Sequence, residues 1–209
     1  MSKNEYTLKY ILLGDSKVGK TSLLSIFTNN KMPDRELPTI GVDFGIKQLD
    51  LNGKLVKNQV WDSAGRDQFR ESAASYCKGV VGIILVYDIT NLESFQNLQK
   101  WLDIVKNESS IVCKILVGNK NDLEKDRKVT FEQGKKFAKK NGMKFLETSA
   151  KENTNVNEIF LTMMKEIIVM KEIIEPKPKL NFLGLNYVIF AGICLILAIT
   201  FVIYFNFHK

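Results

Sequence analysis

The stretch Gly14-Asp15-Ser16-Lys17-Val18-Gly19-Lys20-Thr21 constrains this chain more than any other. It follows an apolar run, Tyr6 to Leu13, that reads as a strand, and precedes Thr21 to Asn29, which reads as a helix. Glycines at such a junction let the backbone curl until successive N–H groups point at one spot. The helix brings its positive N-terminus to the same spot. A loop of this kind cradles phosphate oxygens. Lys20 is expected to reach the terminal phosphates as a point charge, and the Thr21 hydroxyl to ligate Mg²⁺. Phosphate contacts are expected from Gly14, Asp15, Ser16, Lys17, Val18, Gly19, Lys20, Thr21 and Ser22.

The rest of the chain fits an α/β fold. Val42 to Leu51 and Lys54 to Trp61 read as strands joined by Asn52-Gly53, a dipeptide that favours a two-residue hairpin and so an antiparallel pair. Val80 to Tyr87 is continuously apolar, as a buried central strand should be, and Val112 to Val117 repeats the pattern. Leu92 to Lys106 has helical spacing, with Phe95, Leu98, Leu102 and Val105 on one face. Thr130 to Gln133 is a capping-box pattern that opens a helix running to about Lys140. Met143 to Leu146 reads as a short last strand and Val156 to Glu175 as a long helix, with Ile159, Phe160, Met163 and Ile167 inward. The expectation is a six-stranded, mostly parallel sheet with one antiparallel edge strand and about five helices.

Composition excludes several chemistries. The only histidine is His208, so a Ser-His-Asp triad or a histidine-rich metal site is not available. The cysteines, Cys77, Cys113 and Cys194, form no C-x-x-C pair, which argues against a zinc site or a disulfide framework and for a reducing compartment. The net charge is +7, yet only four of the 30 basic residues are Arg, and the lysines are scattered. Nucleic-acid binding is therefore not expected. The excess reads as solvated surface, part of it suited to an anionic membrane face.

After residue 175 the composition changes. Pro176-Lys-Pro-Lys-Leu180 reads as a stiff basic linker, taken as 176–186. Tyr187 to Phe205 is 19 residues without a charge. As a helix it would span about 28 Å, close to a bilayer core. Tyr187 and Tyr204 sit near its ends, where amphipathic rings favour the interface. A single transmembrane helix over 187–205 is expected, with a short non-cytosolic tail, 206–209, and residues 1–175 in the cytosol, which is a tail-anchored arrangement.

Three further segments extend the phosphate loop into a guanine-nucleotide site. They are Asp62-Ser63-Ala64-Gly65, Asn119-Lys120-Asn121-Asp122 and Thr148-Ser149-Ala150-Lys151, each placed at the end of an expected strand. With them the sequence resembles the Ras superfamily of small GTPases over about residues 6–174, matching its D-x-x-G, N-K-x-D and S-A-K motifs. The resemblance implies the P-loop NTPase G-domain fold, GTP/GDP and Mg²⁺ as cofactors, and hydrolysis of GTP. It implies Thr21, Thr39 and Asp62 at the metal, Thr39 and Gly65 at the γ-phosphate, and Asn119, Lys120, Asp122, Ser149, Ala150 and Lys151 at the guanine. A carboxylate at Asp122 can accept from guanine N1–H and its 2-amino group, a pair that adenine cannot supply. Ile40-Gly-Val-Asp-Phe44 and Leu85-Val-Tyr-Asp-Ile-Thr90 resemble Rab signatures. Ile40, Phe44, Trp61 and Tyr76 then form the face that Rabs show to effectors. An exchange factor and a TBC-type GAP are implied partners, and the G domain is expected to be monomeric.

The chain also departs from that pattern. Catalytic roles would fall to Lys20, Gly65 and residue 66, but where the family has Gln to orient the attacking water this chain has Arg66, followed by Asp67. Arg offers no acceptor, so intrinsic hydrolysis is expected to be slow. A TBC-type GAP, which brings both an Arg and a Gln, could restore it. Met32 stands where an aromatic usually lies against the guanine, and Glu36 where a tyrosine is usual, so nucleotide exchange is expected to be faster than in a typical Rab. Lys17 falls where the loop is usually small or neutral. The chain closes Asn206-Phe207-His208-Lys209 without the prenylated cysteines of Rabs, so the apolar segment is expected to take their place. Two functions remain in view. One is a GTP-dependent switch on an organelle membrane, the endoplasmic reticulum or another endomembrane before a mitochondrial-type outer membrane. The other is a membrane scaffold that holds GTP with little turnover.

Overall fold

A computed structural model describes residues 5–35, 37–66, 68, 70–106, 110 and 112–174. The chain divides into two units, Met1–Met170 and Lys171–Lys209. The linker 176–186, the apolar segment 187–205, Cys194, His208 and Glu36 lie outside the described residues. Among the described residues, no helix is long and apolar enough to cross a membrane.

The elements follow in the order β1 (Glu5–Leu13), α1 (Lys20–Asn29), β2 (Val42–Leu51), β3 (Lys54–Ser63), α2 (Arg70–Tyr76), β4 (Gly82–Asp88), α3 (Leu92–Gln96), α4 (Leu98–Ile104), β5 (Cys113–Asn119), a 3₁₀ turn (Asn121–Asp126), α5 (Phe131–Lys140), β6 (Lys144–Glu147) and α6 (Val156–Ile174). The six strands lie in the order β2-β3-β1-β4-β5-β6, with only the β2–β3 pair antiparallel. The hairpin expected at Asn52-Gly53 forms, with both residues at positive φ, 54° and 78°. That geometry matches the right-handed twist of the flanking strands.

Both faces of the sheet are covered, and the period of two along each strand sorts its side chains between them. Leu8, Tyr10 and Leu12 of β1 join Ile84 and Val86 of β4 in a core completed by α1 and α6, where the Phe27 and Phe160 rings stack 3.7 Å apart. Ile11 and Leu13 join Ile83, Leu85 and Tyr87 in a second core, closed by Ala73, Leu98 and Trp101. Every residue of β4 is buried, as its uninterrupted apolar run requires. Cys77 and Cys113 are buried thiols within these cores.

The helix expected over Leu92 to Lys106 is divided. Asn97 interrupts it, closing α3 and opening α4, which ends at Ile104. The Asn97 carbonyl is tightened toward an i→i+3 bond, with Lys100 N–H at 3.0 Å and Trp101 N–H at 3.4 Å. The first half is held by Asn91, whose side-chain oxygen accepts from the Glu93 and Ser94 N–H groups. The inward face is as the spacing predicts, but its largest side chain is Trp101, fully buried. Helix α2 was not marked by any sequence pattern. The capping box at α5 forms reciprocally between Thr130 and Gln133.

The architecture brings the loops after β1, β3, β5 and β6 to the carboxyl edge of the parallel strands. That edge is where open α/β sheets place their ligands.

Candidate nucleotide site

Residues 14–19 turn sharply from β1 into α1. Gly14 has φ 142°, and any Cβ there would run into the Val86 carbonyl of β4. Lys20, 6% exposed, begins α1, and its ammonium donates to the Gly14 and Asp15 carbonyls at 2.7 and 2.8 Å. Burial pushes this ammonium down to about 8, against the opposing pull of Asp62 and Asp15. A phosphate beside it would replace lost hydration with charge. Lys17 is exposed and left-handed, with φ 67°, a conformation that costs a side-chain-bearing residue about 1–2 kcal/mol. Val18 is buried, and Ser16 and Ser22 are half-buried.

The Asp15 side chain is not presented to the cradle, and only its backbone N–H is expected to meet phosphate. The carboxylate turns toward α3 and α4, where it accepts from Asn97 Nδ2 and Trp101 Nε1, each at 2.7 Å.

Thr21, Thr39 and Asp62 come together from α1, the loop before β2 and the end of β3. The two hydroxyls lie 3.0 Å apart, and both donate to Asp62 Oδ2. Ser63 fixes the end of β3 by donating to the Leu12 carbonyl of β1 at 2.7 Å. Burial raises the Asp62 carboxyl, partly offset by Thr21, Lys20 and Thr39. Its other oxygen, Oδ1, is buried with no hydrogen-bond partner among the described residues. A buried carboxylate with an orphaned oxygen beside two hydroxyls is a hard-oxygen donor set that fits Mg²⁺. There is no cluster of three His, Cys, Asp or Glu among the described residues, so the set needs phosphate oxygens to complete a coordination shell.

Gly65 lies against the phosphate loop so closely that a Cβ would collide with the Asp15–Ser16 peptide. Arg66 and Gln68 are exposed on the segment that follows.

The second half of the site is a network around Asn119, which is 1% exposed at the end of β5. Its Nδ2 donates to the Val18 carbonyl of the phosphate loop at 2.8 Å. Its Oδ1 accepts from Thr148 Oγ1 at 3.1 Å and from the Ala150 N–H at 3.3 Å. Asn119 therefore joins three loops, a role that sequence matching did not assign it. Asp122 Oδ1 accepts from Ser149 Oγ at 2.7 Å, which sets the plane of its carboxylate. Lys120 extends to Asp88 Oδ2 at 2.7 Å, and Lys151 is exposed.

Sequence reasoning missed Arg127. Its guanidinium forks onto Glu147 with bonds of 2.7 and 2.8 Å, and onto Glu124 and the Val129 carbonyl as well. Glu147 is the last residue of β6, immediately before Thr148-Ser149-Ala150, and Glu124 lies two residues after Asp122. Arg127 thus ties the two guanine-side loops together, and bidentate pairs of this kind are the strong ones. The signal was faint, since Arg127 is one of only four arginines and matches no motif.

The four aromatic and aliphatic residues named for partner recognition share a surface. Ile40 is 84% and Phe44 58% exposed, while Trp61 and Tyr76 are half-buried. Phe44 lies over Trp61 with centroids 5.8 Å apart, and Lys9 caps the Trp61 ring from 4.4 Å. Ile40, Ala64, Ala73 and Tyr76 line a shallow cavity of about 240 Å³ beside them. Met32, in contrast, is half-buried and packs on the α1–α6 core.

Comparison with known proteins agrees with this geometry. Residues 9–169 match the Ras family. The chain belongs to the Ras family. As a member it binds GTP or GDP with Mg²⁺, and the activity of the family is GTP hydrolysis. It is 46% identical over 164 residues to GTP-binding protein ypt2 of Schizosaccharomyces pombe, covering 78% of this chain and 82% of that one. It is 45% identical over 166 residues to Ras-related protein Rab-13 of Canis lupus familiaris, covering 79% and 82%. It is 47% identical over 167 residues to GTP-binding protein YPT1 of Saccharomyces cerevisiae, covering 79% and 81%. Among Ras-family proteins it is thus Rab/Ypt-like.

Proposed function

We propose that this chain is a Rab-like, GTP-dependent switch in membrane traffic or organelle contact, held on a membrane by residues 187–205 and slow to hydrolyse GTP by itself. The observation that carries the switch is the convergence of Thr21, Thr39 and Asp62. Thr39 belongs to the loop before β2, whose neighbour Ile40 is exposed, so whatever holds Thr39 also sets the recognition face. Bound Mg²⁺ supplies positive charge that offsets the phosphates. Thr21, Thr39 and Asp62 would hold it, Lys20 and the loop N–H groups would hold phosphate, and Gly65 brings its own N–H beside them. Asp122 selects guanine, while Ser149, Ala150, Lys151 and Lys120 shape the pocket around the base. Effectors would read the GTP state through Ile40, Phe44, Trp61 and Tyr76, and an exchange factor and a TBC-type GAP would set its lifetime.

Hydrogen–deuterium exchange of the full chain in detergent tests the switch. Segments 37–41 and 63–76 should be protected with a non-hydrolysable GTP analogue relative to GDP, because order in such segments follows the γ-phosphate. Equal exchange in both states would remove the switch reading.

The anchoring part rests on the uncharged 19-residue run, which suits the thinner bilayer of the endoplasmic reticulum or another endomembrane, with a mitochondrial-type outer membrane as the other candidate. A spanning helix resists alkaline carbonate, whereas a peripheral domain washes off. The full chain should stay in the carbonate pellet, and a 187–205 deletion should appear in the supernatant. Recovery of the intact chain in the supernatant would sink the anchor.

Arg66 keeps a second reading in view, a scaffold that holds GTP on the membrane with little or no turnover. The hydrolysis experiment below separates the two.

A further inference from the structure

Asp15 is an acidic residue inside a loop whose other groups are arranged to receive anions. Facing the cradle, its charge would repel phosphate. Instead both carboxylate oxygens are occupied on the far side. Oδ2 accepts from Asn97 Nδ2 and Oδ1 from Trp101 Nε1, each at 2.7 Å. Both donors are N–H groups aimed at a carboxylate, and bonds of that kind are charge-assisted. They are also shielded, since Asn97 is 9% and Trp101 0% exposed.

The division of the α3–α4 segment makes this arrangement possible. Asn97 is the residue at which the helix is interrupted, and Trp101 lies one turn further on, so the two donors project from the same side. Asp15 is held at two other points. Its carbonyl accepts from Lys20 at 2.8 Å, and its peptide with Ser16 is packed against Gly65. One residue therefore connects the phosphate loop, the Lys20 ammonium, the segment after β3 and the α3–α4 break.

We propose that Asp15 is a positioning residue whose carboxylate, latched by Asn97 and Trp101, keeps the phosphate loop in its nucleotide-holding shape and so slows GDP release. The inference rests on the reading of residues 14–22 as the phosphate cradle. For the loop to open, the half-buried carboxylate must leave two buried donors that are then left without it, which makes opening rare. The latch also makes α4 a lever, because a partner that displaces it would loosen the loop without touching the nucleotide.

The test is the rate of fluorescent mant-GDP release from the full chain in detergent with Mg²⁺ present. Trp101→Phe keeps a buried aromatic ring but removes the N–H donor together with part of the indole, so the paired exchange at Asp15 and Asn97 carries the distinction from lost packing. Asp15→Asn removes the charge and leaves one acceptor oxygen. Each should speed release about tenfold. The paired exchange, Asp15→Asn with Asn97→Asp, reverses the direction of one bond and keeps the other, so it should return release to within about threefold of the parent. Thermal unfolding with saturating GDP confirms that each variant is folded. Release at the parent rate in both single variants would overturn the latch. So would a paired exchange that releases as fast as Asp15→Asn alone, because packing damage does not recover on exchange. A parent chain that binds no mant-GDP would overturn the cradle reading first and the latch with it, a result distinct from either.

Discussion

Replacing Arg66 with Gln is expected to speed single-turnover GTP hydrolysis by the full chain about ten- to hundredfold, the scale of a lost water-positioning contact. The reason is chemical. A guanidinium carries donors only, whereas orienting an attacking water requires an acceptor as well. The register is not free to adjust, because Gly65 is packed against the Asp15–Ser16 peptide and fixes where the next residue emerges. Gln68 lies two residues further on and is exposed, so moving it into the site would require displacing Gly65. Hydrolysis followed with GTP preloaded in the absence of free nucleotide isolates the chemical step from release. Parent and variant hydrolysing at the same rate would mean that another group positions the water, and the slow-switch and scaffold readings would both lose their basis. A slow parent with a fast variant would make a GAP the partner that ends the GTP state.

Changing Asp122 to Asn is expected to weaken GTP binding by about 10²–10⁴-fold and to reverse the preference between guanine and xanthine nucleotides. A carboxylate accepts twice, from guanine N1–H and from the 2-amino group. An amide accepts once and donates once, so one guanine donor is left facing an N–H. Xanthine has a carbonyl in place of the 2-amino group and can accept that N–H. The Ser149 hydroxyl, which donates to Asp122 Oδ1 at 2.7 Å, would hold the amide in the same plane. Competition between GTP and XTP for the full chain measures the reversal. A variant that keeps its preference for GTP would show that guanine is selected elsewhere, with the backbone around Ser149 and Ala150 the first place to look.

These two expectations differ in how far they could be read from the chain alone. Asp122 was legible because N-K-x-D is a contiguous pattern and the chemistry of its carboxylate is a property of one side chain. Arg66 was legible as a departure, since only its place after Asp62-Ser63-Ala64-Gly65 gives it meaning. The helix over 92–106 was legible as an apolar face but not as two pieces, because Asn97 is an ordinary polar residue by periodicity. The side-chain partners of Asp15 were not legible for a related reason. Its sequence neighbours are phosphate-loop residues, but its hydrogen-bond partners lie 82 and 86 residues away. Arg127, which joins the guanine-side loops through Glu124 and Glu147, carried no pattern at all.

What the sequence determined by itself is local. Strand periodicity, Asn-Gly turn chemistry, the Thr130–Gln133 cap and the glycine loop between β1 and α1 each depend on a few adjacent residues, whose backbone preferences and hydrophobic pattern act over one or two turns. From these the element order, the antiparallel edge and the placing of four motifs at strand ends all follow. Tertiary structure decided which polar side chains meet. Thr21, Thr39 and Asp62 share one oxygen, Asn119 joins three loops, and Asp15 faces Asn97 and Trp101. A hydrogen bond requires its partners within about 3 Å and in the right direction. For residues far apart in the chain, only the packing of helices on both faces of the sheet brings them that close.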